Sequence, residues 1–295
     1  MLVNVTSGGK SWQMNKTLRN NLSVLKKRVR DDWNFKIIIS GDGMTRTGKS
    51  TMAAQVAQFL DPTFAENFKK RMIFSAKDLQ NRAYKIGKYK ALVYDEARNG
   101  LDSKSVMTGY TKKLLDFFAE CGNLNQIIII VLPDYFELEK SVAVTQSICL
   151  INCYPGPGFK RGYFDFYNKR GKKNLYIFGK KKLNYREIEE YYGGIPNKFG
   201  FKGKFTSFFP FNKEKYEKRK RKKLLEVKKI KKKSKNLKNK RANRYAKKLA
   251  KAVNLLNKQH DYTYKEIGKV IGYNTKAGVS VLLSKYLKGD KNGNS

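Results

Sequence analysis

Gly43-Met44-Thr45-Arg46-Thr47-Gly48-Lys49-Ser50 has the spacing G-x-x-x-x-G-K-[ST], which lets a chain curl its backbone N–H groups around a phosphate. Gly43 and Gly48 permit the turn. Met44, Thr45, Arg46 and Thr47 lie between them, and Thr51 follows in the first turn of a helix whose amino terminus adds partial positive charge. In this pattern Lys49 reaches the β and γ phosphates of ATP, and the Ser50 hydroxyl binds Mg²⁺. Farther along, the apolar run Ala91-Leu92-Val93-Tyr94 delivers two adjacent carboxylates, Asp95 and Glu96. Asp95 is expected to hold Mg²⁺ through water, and Glu96, pointing to the other side, to polarise an attacking water. A nucleotide kinase uses no water and needs no such glutamate. The pair therefore points to ATP hydrolysis, with Lys49 and Glu96 as the catalytic groups.

Such residues work only if strands and helices bring them to one end of a sheet. Apolar runs of strand length alternate with amphipathic segments: a strand over Phe35 to Ser40, a helix over Lys49 to Leu60, a strand over Ala91 to Tyr94, a helix over Thr111 to Cys121 and a strand over Gln126 to Leu132. That alternation predicts an α/β fold, a parallel sheet flanked by helices, with ligands at the carboxyl ends of its strands. The aromatic stretches 162–167 and 174–178 flank Asn168-Lys169-Arg170-Gly171 and read as a β-hairpin extending the edge. Composition then changes near residue 205. The expected division is an ATPase domain over 1–205, a basic linker or helix over 206–241, and a small all-α domain over 242–295.

The two motifs together resemble the P-loop ATPases that carry a catalytic glutamate beside the magnesium-linked aspartate, a group containing DNA translocases, packaging motors and AAA-type machines. The resemblance covers roughly residues 30 to 150. Asp95-Glu96-Ala97, followed by an amphipathic helix and an isoleucine-rich strand, looks most like the zonula-occludens-toxin-like and FtsK/HerA-type ATPases of viruses and mobile elements. It implies a P-loop NTPase fold, ATP and Mg²⁺ as cofactors, and a homo-oligomer in which a neighbour's arginine completes the site. Arg98 and Arg46 are the candidates. Those families commonly end the next strand with a polar sensor; here the strand ends Leu132-Pro133-Asp134, which makes Asp134 the nearest candidate. The toxin-like phage secretion proteins usually possess a membrane span as well. The longest aliphatic run here, Ile127 to Leu132, has six residues, whereas a bilayer needs about 20.

The 295 residues carry 64 Lys+Arg against 24 Asp+Glu, a formal charge of +40, which calls for a polyanionic partner. Lys213 to Lys248 alone holds twenty Lys or Arg and three Glu. The last fifty residues regain apolar periodicity and read as three short helices, the first around Ala246 to Leu256. Thr263-Tyr264-Lys265-Glu266 has the form of a capping box, Gly272 stops the helix it opens, and a further helix runs over Lys276 to Leu287. This resembles a helix-turn-helix. Thr275, Lys276 and Ser280 would face base edges and Lys285 a phosphate, with double-stranded DNA as the partner. The alternative is a three-helix bundle for protein contacts. The stretch Phe201 to Phe211 either stacks on bases or packs against the preceding domain.

Cys121, Cys149 and Cys153 match no zinc spacing and are too few for a disulfide framework. The amino terminus has no secretory pattern, and a cytoplasmic protein, in the host cytoplasm if viral, is the expectation. The leading function is an ATP-hydrolysing DNA packaging or translocation protein of a virus or mobile element. The alternatives are an ATP-dependent DNA-binding regulator, such as a transposition helper or replication initiator, and a non-hydrolysing structural DNA-binding protein with a nucleotide switch.

Overall fold

A computed structural model describes residues 1–95, 97, 101, 109–180, 200–260, 262–272 and 275–287. The chain divides into two compact units, Met1–Lys220 and Arg221–Ser295.

The first unit opens with β1 (Leu2–Ser7) and β2 (Lys10–Asn15), an antiparallel pair joined by Gly8 and Gly9. Both glycines have positive φ, as a two-residue hairpin turn requires. Then come α1 (Lys16–Arg28), β3 (Phe35–Ser40), α2 (Lys49–Leu60), α3 (Phe68–Arg71), β4 (Met72–Ile73), α4 (Ala76–Ala83), β5 (Ala91–Tyr94), α5 (Gly109–Glu120), β6 (Ile127–Val131), β7 (Cys149–Tyr154), β8 (Tyr163–Tyr167), α6 (Lys169–Asn174) and β9 (Gly200–Lys204). The main sheet has the order β4-β5-β6-β3-β7-β8-β9. Its first five strands are parallel, while β8 and β9 add on antiparallel.

The central strands are apolar along most of their length, with Lys36 and Ser40 of β3 and Asn152 of β7 as polar exceptions, because helices and loops cover both faces. Ile37, Ile39, Ile127, Ile129, Val131, Ala91 and Val93 enter one core with α1, α2 and the first hairpin. Ile38, Ile128, Ile130, Leu92 and Tyr94 enter the other with α4 and α5. Period-two alternation thus feeds two cores rather than one core and solvent.

The edge hairpin expected over 162–178 does not form. Residues 163–167 are strand β8, but 169–174 are helical and 175–179 continue as a π-helix. Asn168 starts the helix by accepting the Gly171 N–H at 2.9 Å. Both edges of β8 are already paired, with β7 and with β9, so a second arm has no backbone partners left there. Leu175 and Tyr176 then bury on one face, while Ile177 and Phe178 stay exposed.

After β9 the aromatic stretch packs onto this unit. Phe208 stacks on Trp12 at 5.2 Å, Phe211 on Phe68 at 4.3 Å, and Gln55 donates to the carbonyls of Thr206 and Phe208, each at 2.8 Å. The next helix, α7 (Lys213–His260), is 48 residues long. It contains neither glycine nor proline, so nothing in the backbone interrupts it. Its length differs from the expectation of a separate short helix near 246–256, which turns out to be its last turns.

In the second unit, the end of α7, α8 (Tyr264–Val270) and α9 (Lys276–Leu287) share a small core of Ala250, Val253, Ile267, Val279, Leu282 and Leu283. The capping box is present: Thr263 and Glu266 bond each other's backbone N–H groups, and the Thr263 hydroxyl, followed by its N–H, lowers the Glu266 pKa by donating to the carboxylate. Gly272 has φ +79 after α8, which suits glycine.

Candidate phosphate and magnesium site

The loop after β3 is wound by residues that accept positive φ: Asp42, Gly43, Arg46 and Gly48. Two neighbours at the carboxyl ends of the flanking strands hold its first turn. From β6, the Pro133 carbonyl accepts the N–H groups of Gly41 and Gly43 at 3.0 and 3.1 Å. From β7, the buried Asn152 accepts the Ser40 hydroxyl at 2.8 Å and the Asp42 N–H at 3.3 Å, and returns its amide to Asp42 at 2.5 Å. Gly48 then caps α2 with φ +95 and no side-chain capping bond. A Cβ at Gly48 would meet the Phe205 ring at 2.7 Å, a close approach that only glycine allows.

Lys49 reaches back across the loop, its ammonium donating to the Met44 carbonyl at 2.5 Å and to Thr47 at 3.3 Å. Gly43, Met44, Thr45 and Arg46 lie in solvent; Thr47 is buried; Gly48, Lys49, Ser50 and Thr51 are half-buried. Asp95, at the end of β5 and 1% exposed, faces this helix start. The Ser50 hydroxyl lies 3.3 Å from Asp95 Oδ2 and 3.5 Å from Oδ1. A hydroxyl and a carboxylate converging beside a helix amino terminus form the hard oxygen set that Mg²⁺ prefers, so these residues fit that ion.

Two further groups meet Asp95, both from the first turns of α7. Tyr216 donates its hydroxyl to Oδ2, and Lys220 forms an ion pair with the same oxygen at 3.1 Å. Neither is visible to sequence reasoning, because Lys220 is one cation among 64. Asn152 could have been noticed, as the one amide within the otherwise apolar run Cys149 to Cys153.

Glu96 and Arg98 lie outside the described residues. Asp134 accepts the Phe136 N–H at 3.0 Å and starts a 3-10 turn. It is the neighbouring Pro133 carbonyl that reaches the phosphate loop. In the second unit, Thr275, Lys276, Ser280 and Lys285 all lie on the exposed surface of α9 or its cap. Thr275 accepts the Gly278 N–H at 3.2 Å, and the Lys285 ammonium sits over the Tyr286 ring.

No family model and no curated protein matches the sequence. Among solved structures, the genome packaging NTPase B204 of Sulfolobus turreted icosahedral virus 2, in complex with ATP-gammaS, is 15% identical, with a TM-score of 0.32 over 47% of this chain and 94% of that one. The N-terminal domain of zonular occludens toxin from Neisseria meningitidis is 13% identical, with a TM-score of 0.37 over 59% of this chain and 94% of that one. These are proteins of the groups that the motifs resemble. Likenesses at this level carry no argument of their own, and the α/β P-loop fold rests on the strand order and the wound loop described above.

Proposed function

We propose that the chain is an ATPase of a virus or mobile element that works on double-stranded DNA, in genome packaging or translocation. The observation that carries the enzymatic part is the convergence of Ser50 and Asp95 at the start of α2, beneath a loop whose backbone is wound for phosphate. Lys49 stands where it can turn from the Met44 carbonyl to a β or γ phosphate, offsetting charge that develops during transfer. Ser50 and Asp95 would hold Mg²⁺, which when bound neutralises phosphate charge and orients the nucleotide. In this reading Glu96 orients the attacking water.

The DNA part rests on charge and on α9. Twenty Lys or Arg between Lys213 and Lys248 supply affinity without sequence preference, since each phosphate contact releases a counterion. In this reading α8 and α9 act as a helix-turn-helix, the exposed Thr275, Lys276 and Ser280 at the start of α9 meet base edges, and Lys285 meets phosphate. A homo-oligomer in the cytoplasm completes the reading; among the described residues no helix is long and apolar enough to cross a membrane.

ATP turnover with and without duplex DNA, at several salt concentrations, tests the whole. DNA-stimulated turnover that is abolished in Lys49→Ala and Glu96→Gln is the expected result. No turnover under any of these conditions would leave only a nucleotide-switched structural protein. Displacement of a triplex-forming strand during turnover separates a translocase from a stationary regulator.

A further inference from the structure

Asp95 Oδ2 lies nearest to the Ser50 hydroxyl, and it is also the oxygen that accepts from Tyr216 and Lys220. Those two residues are four apart on α7 and so share one face of the helix. From this geometry we infer that the first turns of α7 form a latch that competes with magnesium: the Lys220 ammonium and the Tyr216 hydroxyl cap the carboxylate oxygen that the metal would use. The inference rests on the ATPase reading of the site.

The latch is seated by contacts that leave little choice of position. Arg219 lies over the Phe74 ring at 5.5 Å and donates to the Met72 carbonyl at 2.9 Å, at the start of β4. The Tyr216 ring packs 5.3 Å from Phe209 and 6.1 Å from Phe74, and is 4% exposed. Upstream, the strap 205–211 is pinned to α2 through Gln55 and lies against Gly48 through Phe205. The segment that brings α7 to Asp95 therefore touches the phosphate loop's own helix.

Lys220 differs from this rigid seat. Its side chain is 22% exposed, and its long stem lets the ammonium leave for solvent while Arg219 and the Tyr216 ring stay in place. An ammonium and a divalent cation repel each other, and the ammonium holds the oxygen to which a metal-bound water would donate, so each opposes the other. Metal entry then requires Lys220 to swing away and the Tyr216 hydroxyl to give up Oδ2.

The test is the Mg²⁺ concentration at half-maximal binding of a fluorescent, non-hydrolysable ATP analogue to the full chain. Hydrogen exchange across 213–220 is followed in parallel. Lys220→Ala should lower that concentration on the order of tenfold, the scale for removing one nearby, partly screened charge. Tyr216→Phe, which keeps the ring, should lower it by less. Lys218→Ala, which removes the same charge from an exposed position on the same helix, should leave it unchanged. In the wild type, Mg²⁺ with the analogue should speed exchange across 213–220. An unchanged midpoint in Lys220→Ala, or weaker analogue binding as if Lys220 gripped phosphate, overturns the latch while leaving the ATPase reading intact. Failure of every variant and of the wild type to bind the analogue overturns both.

Discussion

In the sheet unit the carboxylate at the candidate site is buried and matched atom to atom: Asp95 is 1% exposed and meets Ser50, Tyr216 and Lys220. In the second unit the candidate DNA-facing residues Thr275, Lys276, Ser280 and Lys285 all stand in solvent, on a bundle whose core, among the described residues, has six buried apolar side chains. Buried groups act through fixed geometry in a medium that screens little, so losing one costs much. Exposed cations act through number, and salt weakens them together. Under the proposed function, the first unit is built around a single small ligand and the second meets a long polyanion at many points.

That contrast sets the sizes of the effects to be measured. Lys49→Ala should lower ATP turnover about a hundredfold to a thousandfold with the fold intact, as steady-state phosphate release and circular dichroism would show. A loss below about threefold would mean that the loop is not the site of chemistry. At the opposite end of the sheet from the phosphate loop, Asp61 is buried and pairs with Arg71, and it also accepts the Ala91 N–H at 3.0 Å. Asp61→Ala should cost about 3–5 kcal/mol in chemical denaturation, because it strands a buried guanidinium. A cost near zero would break the claim that this unit matches its buried charges.

The second unit should respond more mildly. Thr263→Ala removes the capping box of α8 and should cost about 1 kcal/mol in the melting of that unit, with turnover in the absence of DNA unchanged. Lys276→Ala should weaken duplex binding a few-fold and reduce the salt slope by about one, again without touching basal turnover. If Lys276→Ala instead abolished binding outright, the second unit would hold a fitted pocket rather than a many-point surface.

The phosphate loop, the strand before it and the helix after it were legible because glycine, lysine and an isoleucine run each leave a local mark. The carboxylate strand was legible for the same reason. What was not legible depended on contacts far apart in the chain. Residues 174–178 have the composition of a strand, yet β9 already occupies the edge they would need, and the Asn168 cap turns the chain into helix. β9 itself, Gly200–Lys204, has no apolar alternation to announce it. Tyr216 and Lys220 reach Asp95 across more than a hundred residues, out of a segment whose composition suggests only a solvated basic helix. The aromatic stretch 201–211 left two readings open in the sequence, and packing on the sheet unit is the one the structure adopts.

Whether Asp95 serves magnesium-dependent ATP hydrolysis is tested most directly by phosphate release from ATP as Mg²⁺ is titrated, for the wild type and for Asp95→Asn, with folding of both checked by circular dichroism. Release should rise to saturation with Mg²⁺ in the wild type and be lost in the folded variant. Release that does not depend on Mg²⁺, or that persists in folded Asp95→Asn, would contradict that role.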